Sequence, residues 1–158
     1  MMRLGLAVAG LVIVLDQVTK WWIVEAVMQP PRMIPVTSFF NLVMYRNPGI
    51  SFGLFGGGSA LGSWVFIGLA VAIAGGLLIW LGKARQRWLA AGIGLVIGGA
   101  IGNVVDRIRF GAVTDFLDFH LAGYHWPAFN LADSAITVGV ALLFADALFR
   151  RRQSHKNT

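Results

Sequence analysis

Four long apolar runs decide what this chain can fold into. Residues 4–27, 59–81, 88–105 and 130–149 are strongly apolar and sparsely charged. A hydrocarbon core about 30 Å thick takes roughly 20 such residues per helical crossing, so each run reads as a transmembrane helix. The 158 residues are 57% hydrophobic and 13% charged, with a mean hydropathy of +0.72. That leaves too little polar surface for a water-soluble globule. The fold class follows: an all-α membrane protein, one integral domain over 1–158, built as a four-transmembrane-helix bundle with a small extramembrane β-rich element on its outer face. The first run follows Arg3 as a signal peptide would, but no small-residue cleavage site ends it. Its helical pattern continues through Asp16, Lys20 and Trp22, so it reads as a span.

Thirteen Lys and Arg against seven Asp and Glu give a net charge of +6. These basic residues stand at the ends of apolar runs, where they suit lipid headgroups and set topology, so membrane lipids rather than nucleic acid are the expected partners. The 82–87 loop carries Lys83, Arg85 and Arg87, and the 150–158 tail opens with Arg150, Arg151 and Arg152. Both therefore read as cytoplasmic, with both termini inside and the 28–58 and 106–129 loops outside. Cysteine is absent, which excludes thiol catalysis and disulfides. His120, His125 and His155 have no ligand spacing of a catalytic metal, so neither metal nor cofactor is expected.

In the first external loop, Gln29-Pro30-Pro31 stops the helix, and the run from Thr37 to Met44 suits a strand. Tyr45-Arg46-Asn47-Pro48-Gly49 signals a type II turn. Phe39, Phe40, Phe52 and Phe55 are candidate interfacial anchors, and Gly49 with Gly56, Gly57 and Gly58 offers hinges for a lid. In the third run Ala90, Gly94, Gly98 and Gly102 recur every fourth residue, a stripe that lets a neighbouring helix approach closely. Asp106 continues it at the expected helix end, beside Arg107 and Asn103.

Asp16 and Lys20 lie four apart on one helical face, which fits a packing ion pair or a functional one. Asp115 and Asp133 are the candidate chemical pair, one entering from a loop and one from a helix start. Two converging carboxylates share a proton, so one serves as base and the other as acid against a peptide carbonyl, as in an aspartic protease. Asp118 is a rival in the same loop: a helix would put it beside Asp115, whereas Phe116 and Phe119 suggest a membrane-dipping turn. No serine has a matching His and Asp constellation. An alternative reading makes Asp16, Lys20, Asp106 and Asp133 a proton or ion path of a small transporter, and a third makes the chain a non-catalytic assembly factor.

Taken in order, Asp16-Gln17-Val18-Thr19-Lys20, Asn47-Pro48-Gly49, Gly102-Asn103-Val104-Val105-Asp106-Arg107, Val113-Thr114-Asp115-Phe116 and Phe129-Asn130-Leu131-Ala132-Asp133-Ser134 resemble bacterial lipoprotein signal peptidase, also called signal peptidase II. The resemblance spans nearly the whole chain. It implies an aspartic endopeptidase of the bacterial inner membrane that cuts prolipoproteins just before a diacylglyceryl-modified cysteine. By position in the motifs, Asp115 and Asp133 are the catalytic pair, and Asp16, Lys20, Asn47, Gly49, Asn103, Asp106, Arg107, Asn130 and Ala132 support substrate and pair. A globomycin-type inhibitor is a further implied partner. Pro48 departs from the small polar residue more usual in the family at that point.

Overall fold

The computed structural model describes residues 1–49 and 60–156. Phe52, Phe55 and the glycines at 56, 57 and 58, with the lid hinge drawn from them, lie outside the described residues. Among the described residues, four helices are long and apolar enough to cross a membrane. They are α1 (Met2–Trp22), α2 (Ala60–Lys83), α3 (Arg87–Phe110) and α4 (Leu131–Lys156). One π-helical turn, Ile23–Val27, prolongs α1, and Met28 N–H closes it on Ile23 O at 2.9 Å. The basic residues expected as a tail beyond 149 continue the helix of α4 as far as Lys156.

Helix α3 is the centre of the bundle. About two-thirds of its spanning stretch is buried, 67% against no more than 22% for the other three. In lipid the apolar driving force between helices is weak, so close backbone packing decides which faces meet. The stripe foreseen from the sequence packs on α1: a Cβ at Gly98 would stand 2.7 Å from Ala9 O, and one at Gly94 would overlap Gly5 O. A second small face, Gly92 and Gly99, meets α4, where Gly139 lies against Gly92 O (2.7 Å to a Cβ) and Gly99 against Ala132 O. Two helices thus close on α3 at backbone distance from different sides. Ala9, Leu81, Leu89, Ala90, Ile93 and Ile97 fill the core where α1, α2 and α3 meet.

The external part is a four-stranded antiparallel sheet in the order β1 (Ile34–Thr37), β2 (Phe40–Asn47), β3 (Val113–Leu121) and β4 (Tyr124–His125). Half of it comes from the segment expected as a loop or membrane-dipping turn, which is instead the nine-residue strand β3. Phe116 N–H and Leu117 N–H both donate to Phe129 O (3.1 and 2.9 Å). Two residues therefore face one partner, as in a β-bulge. The bulge turns both Phe116 and Leu117 toward the cluster of Ile23 and Met28 that fixes the sheet on the end of α1. It also returns Asp115 and Asp118 to one face of the strand, where both line the same cavity. Phe40 joins a ring ladder with Phe119 and Phe129 (4.8 and 5.9 Å between centroids), while Phe39 stays exposed.

Candidate active site

Helix α3 carries on past residue 105, so Asp106 and Arg107 sit on its last turns rather than in the following loop. That position sets Asp106 beside α1. Lys20 Nζ lies 2.9 Å from Asp16 Oδ2 and 3.1 Å from Asp106 Oδ2, and it donates to Asn103 Oδ1 at 3.1 Å. An ammonium has three N–H donors, and all three are used. All four residues are buried. Gly102 makes the space: a Cβ there would stand 2.7 Å from Asp16 Oδ2. Gln17 Nε2 donates to Asp16 Oδ2 (3.1 Å), Asp106 Oδ1 (2.9 Å) and Gly102 O (3.3 Å). Gln17 stands inside a motif singled out in the sequence, but only the structure reveals its part. The available signal was its place as a polar residue between two buried charges.

From this hub two bonds lead on. Ala132 N–H, free of helical partners at the start of α4, donates to Asp16 Oδ1 at 3.0 Å. Asn103 Oδ1, already committed to Lys20, also accepts from Asn130 Nδ2 (3.3 Å), so the Asn103 amide nitrogen points the other way and donates to Asp133 Oδ1 at 2.7 Å. Asn130 caps α4. Its Oδ1 accepts from Asp133 N–H (3.0 Å), and Asp133 Oδ2 accepts from Asn130 N–H (3.2 Å), the reciprocal pattern of a capping box. The positive end of the helix dipole favours the Asp133 anion there.

The second amide hydrogen of Asn130 reaches Asp115 Oδ1 at 2.7 Å, while Asn47 Nδ2 donates to Asp115 Oδ2 at 2.9 Å. Asn130 therefore holds both carboxylates, and the sequence-selected Asp115 and Asp133 converge on it. Asp115 is 2% exposed. Burial raises its pKa above the usual carboxylate value and the nearby Asp133 charge adds to this, against the opposing pull of the Asn47 and Asn130 hydrogen bonds. Asp115 borders a cavity of about 570 Å³ that also touches Tyr45, Arg46, Asn47, Asp118 and Trp126.

Gly49 and Arg107 pack together against Phe66. Gly49 has φ +98°, takes Asn47 Oδ1 onto its N–H at 2.9 Å, and packs so tightly that a Cβ would meet Phe66 at 2.7 Å. Only glycine suits both constraints. The Arg107 guanidinium lies 5.2 Å from the Phe66 ring centre and in the field of Asp133, Asp115 and Asp106. Asp118 points into the same cavity as Asp115 but is engaged elsewhere. Although burial works against the anion, hydrogen bonds from Asn41 Nδ2 (2.8 Å) and His125 Nδ1 (2.8 Å) hold its pKa below the ordinary value. The buried charges Asp16, Lys20 and Asp106 close on one another at one end of the bundle, which leaves the transporter reading without support.

Comparison with known proteins agrees with this arrangement. The family model described as signal peptidase (SPase) II matches residues 8–149. The chain is 53% identical over 139 residues to a lipoprotein signal peptidase of Azoarcus sp., covering 87% of this chain and 78% of that one. It is 45% identical over 145 residues to the lipoprotein signal peptidase of Beijerinckia indica, covering 91% and 87%. A bacterial membrane enzyme solved by the in meso method at 1.9 Å superposes with a TM-score of 0.78 at 33% identity, over 91% of this chain and 92% of that one. The chain belongs to the signal peptidase II family.

Proposed function

We propose that the chain is an aspartic endopeptidase that removes signal peptides from prolipoproteins, with Asp115 and Asp133 as the catalytic pair. It cuts on the N-terminal side of a diacylglyceryl-modified cysteine. The observation that carries this reading is the shared Asn130, whose amide donates to Asp115 while its backbone N–H donates to Asp133. Asp115, whose burial favours the neutral carboxyl, is suited to be the acid. Asp133, at a helix N-terminus, is suited to be the base. Asp133 takes a proton from water as the water oxygen bonds to the scissile carbonyl carbon, and Asp115 gives its proton to the carbonyl oxygen. The tetrahedral intermediate then collapses: Asp115 recovers its proton, the carbon–nitrogen bond breaks, and the departing amine leaves with the proton held by Asp133.

Asp16, Lys20, Asn103, Asp106 and Ala132 hold the pair from behind, while Asn47, Gly49 and Arg107 form the rim that meets substrate. The basic 82–87 loop and C-terminal residues support a topology with both termini in the cytoplasm and the pair near the outer leaflet of the inner membrane. A globomycin-type cyclic peptide blocks the same cavity. The test uses purified protein in bilayers, a diacylglyceryl-modified prolipoprotein, and Asp115→Asn and Asp133→Asn. Both variants are expected to bind substrate and leave it uncut. Cleavage by either at the unaltered rate refutes the assignment, and the same substitution at Asp118 then becomes the next trial.

A further inference from the structure

Behind the catalytic cluster a second, narrower cavity of about 160 Å³ opens where the end of α1 faces β2 and the end of α3. Its wall contains Trp21, Glu25, Arg46, Arg109, Phe110 and Thr114, with the Lys20–Asp106 pair at its back. Arg46 and Arg109 both bring their guanidinium groups to the Phe110 ring, 4.7 and 5.0 Å from its centre. Arg46 is fixed there by Nη1 donating to Thr114 Oγ1 at 2.7 Å. Two cations gathered on one ring repel each other, and neither forms an ion pair among the described residues. Asp106, the carboxylate at the back, is already engaged by Lys20, Gln17 and the Thr114 N–H and pairs with neither arginine, so the missing component is an anion between the two arginines.

Its source is indicated by the surroundings. Trp21 and Phe110 are 64% and 51% exposed at the ends of two spanning helices, the level at which aromatic side chains meet lipid headgroups. Arginine's planar fork suits a phosphodiester. On the same wall Glu25, exposed and in no ion pair among the described residues, supplies a negative charge. We propose that this cavity seats the headgroup of a phospholipid carrying a primary ammonium, its phosphodiester on Arg46 and Arg109 and its ammonium on Glu25. Glu25 disfavours a headgroup with phosphate alone. Arg46 also borders the Asp115 cavity, so the lipid braces a wall that the two cavities share. The site stands apart from the peptidase reading, because its test measures binding.

The full chain, purified and delipidated in detergent, is titrated with phosphatidylethanolamine, phosphatidylglycerol or phosphatidylcholine of identical acyl chains, and retention of one lipid is read by native mass spectrometry. Phosphatidylethanolamine is expected to be held in preference to both others. Arg46→Gln and Arg109→Gln should each weaken retention about tenfold, the scale of one charge-assisted hydrogen bond, while Arg→Lys at either position restores part of it. Glu25→Gln should erase the preference over phosphatidylglycerol without lowering phosphatidylglycerol binding. Equal retention of the three lipids by the unaltered chain overturns the proposal, as does undiminished retention by both glutamine variants. Inorganic phosphate competing as well as the lipid overturns the lipid assignment. If either arginine variant unfolds, Glu25→Gln alone decides: a preserved preference refutes the site.

Discussion

Lys20→Met tests whether the buried hub holds the bundle together. Methionine keeps the unbranched stem, one atom shorter, but removes the charge that stands 2.9 Å from Asp16 and 3.1 Å from Asp106. Those carboxylates are 0% and 1% exposed, so neither finds water in compensation. Removing one partner of a buried ion pair costs about 3–5 kcal/mol. At about 2–4 °C per kcal/mol for a chain of this size, unfolding should come about 6–20 °C earlier. Thermal unfolding in detergent micelles reads this directly. The sharper measurement repeats Lys20→Met in an Asp106→Asn background. There one carboxylate is already neutral, so the same substitution should lose no more than about half as much. A loss of equal size in both backgrounds, or less than about 1 kcal/mol in the first, would refute the reasoning.

Gly102→Ala drives a methyl to within 2.7 Å of Asp16 Oδ2 and should destabilise by about 1–3 kcal/mol, whereas Gly75→Ala in α2, with nothing within 4 Å, should be neutral or stabilising by thermal unfolding. Asn130→Ala takes a donor from Asp115 and the cap from α4. Single-turnover cleavage should slow by about 10- to 100-fold with little change in KM, matching one hydrogen bond to a charged group, and an unchanged rate would remove Asn130 from its positioning role. Asn47→Ala deletes a bond that favours the Asp115 anion. The pKa of Asp115 then rises further, so with Asp115 as the proposed acid the alkaline fall of the pH–rate profile should move to higher pH.

The spans were legible because lipid leaves a helix no choice but a long apolar run. The small-residue stripe to α1 was visible at its four-residue repeat. Its counterpart toward α4 was not, because Gly92 and Gly99 are seven apart and depend on Gly139 of the partner helix. Strand β3 was hidden for a related reason. Two acids three residues apart break the alternation of a strand, and the bulge that reconciles them is made by Phe129 O, a distant backbone group. Convergence of Asp115 and Asp133 was suggested by motif but not by spacing, since it requires Asn130 to face both.

The same facts explain how a residue on α1 reaches the carboxylate at the head of α4. An asparagine amide is nearly symmetric in shape but opposite in polarity at its two ends, so packing alone leaves its orientation open. At Asn103 the choice is made by charge: Lys20, with its other two donors spent on Asp16 and Asp106, claims the carbonyl oxygen, and Asn130 adds a second donor to it. The nitrogen is then left to face Asp133. Reversing the amide would set its oxygen against a carboxylate and its nitrogen against an ammonium, two repulsions in a buried site. The helix contact through Gly102 and the bond from Ala132 to Asp16 keep Lys20 where it can impose that orientation. Close helix packing is therefore the first step in fixing which hydrogen bonds the carboxylate pair receives.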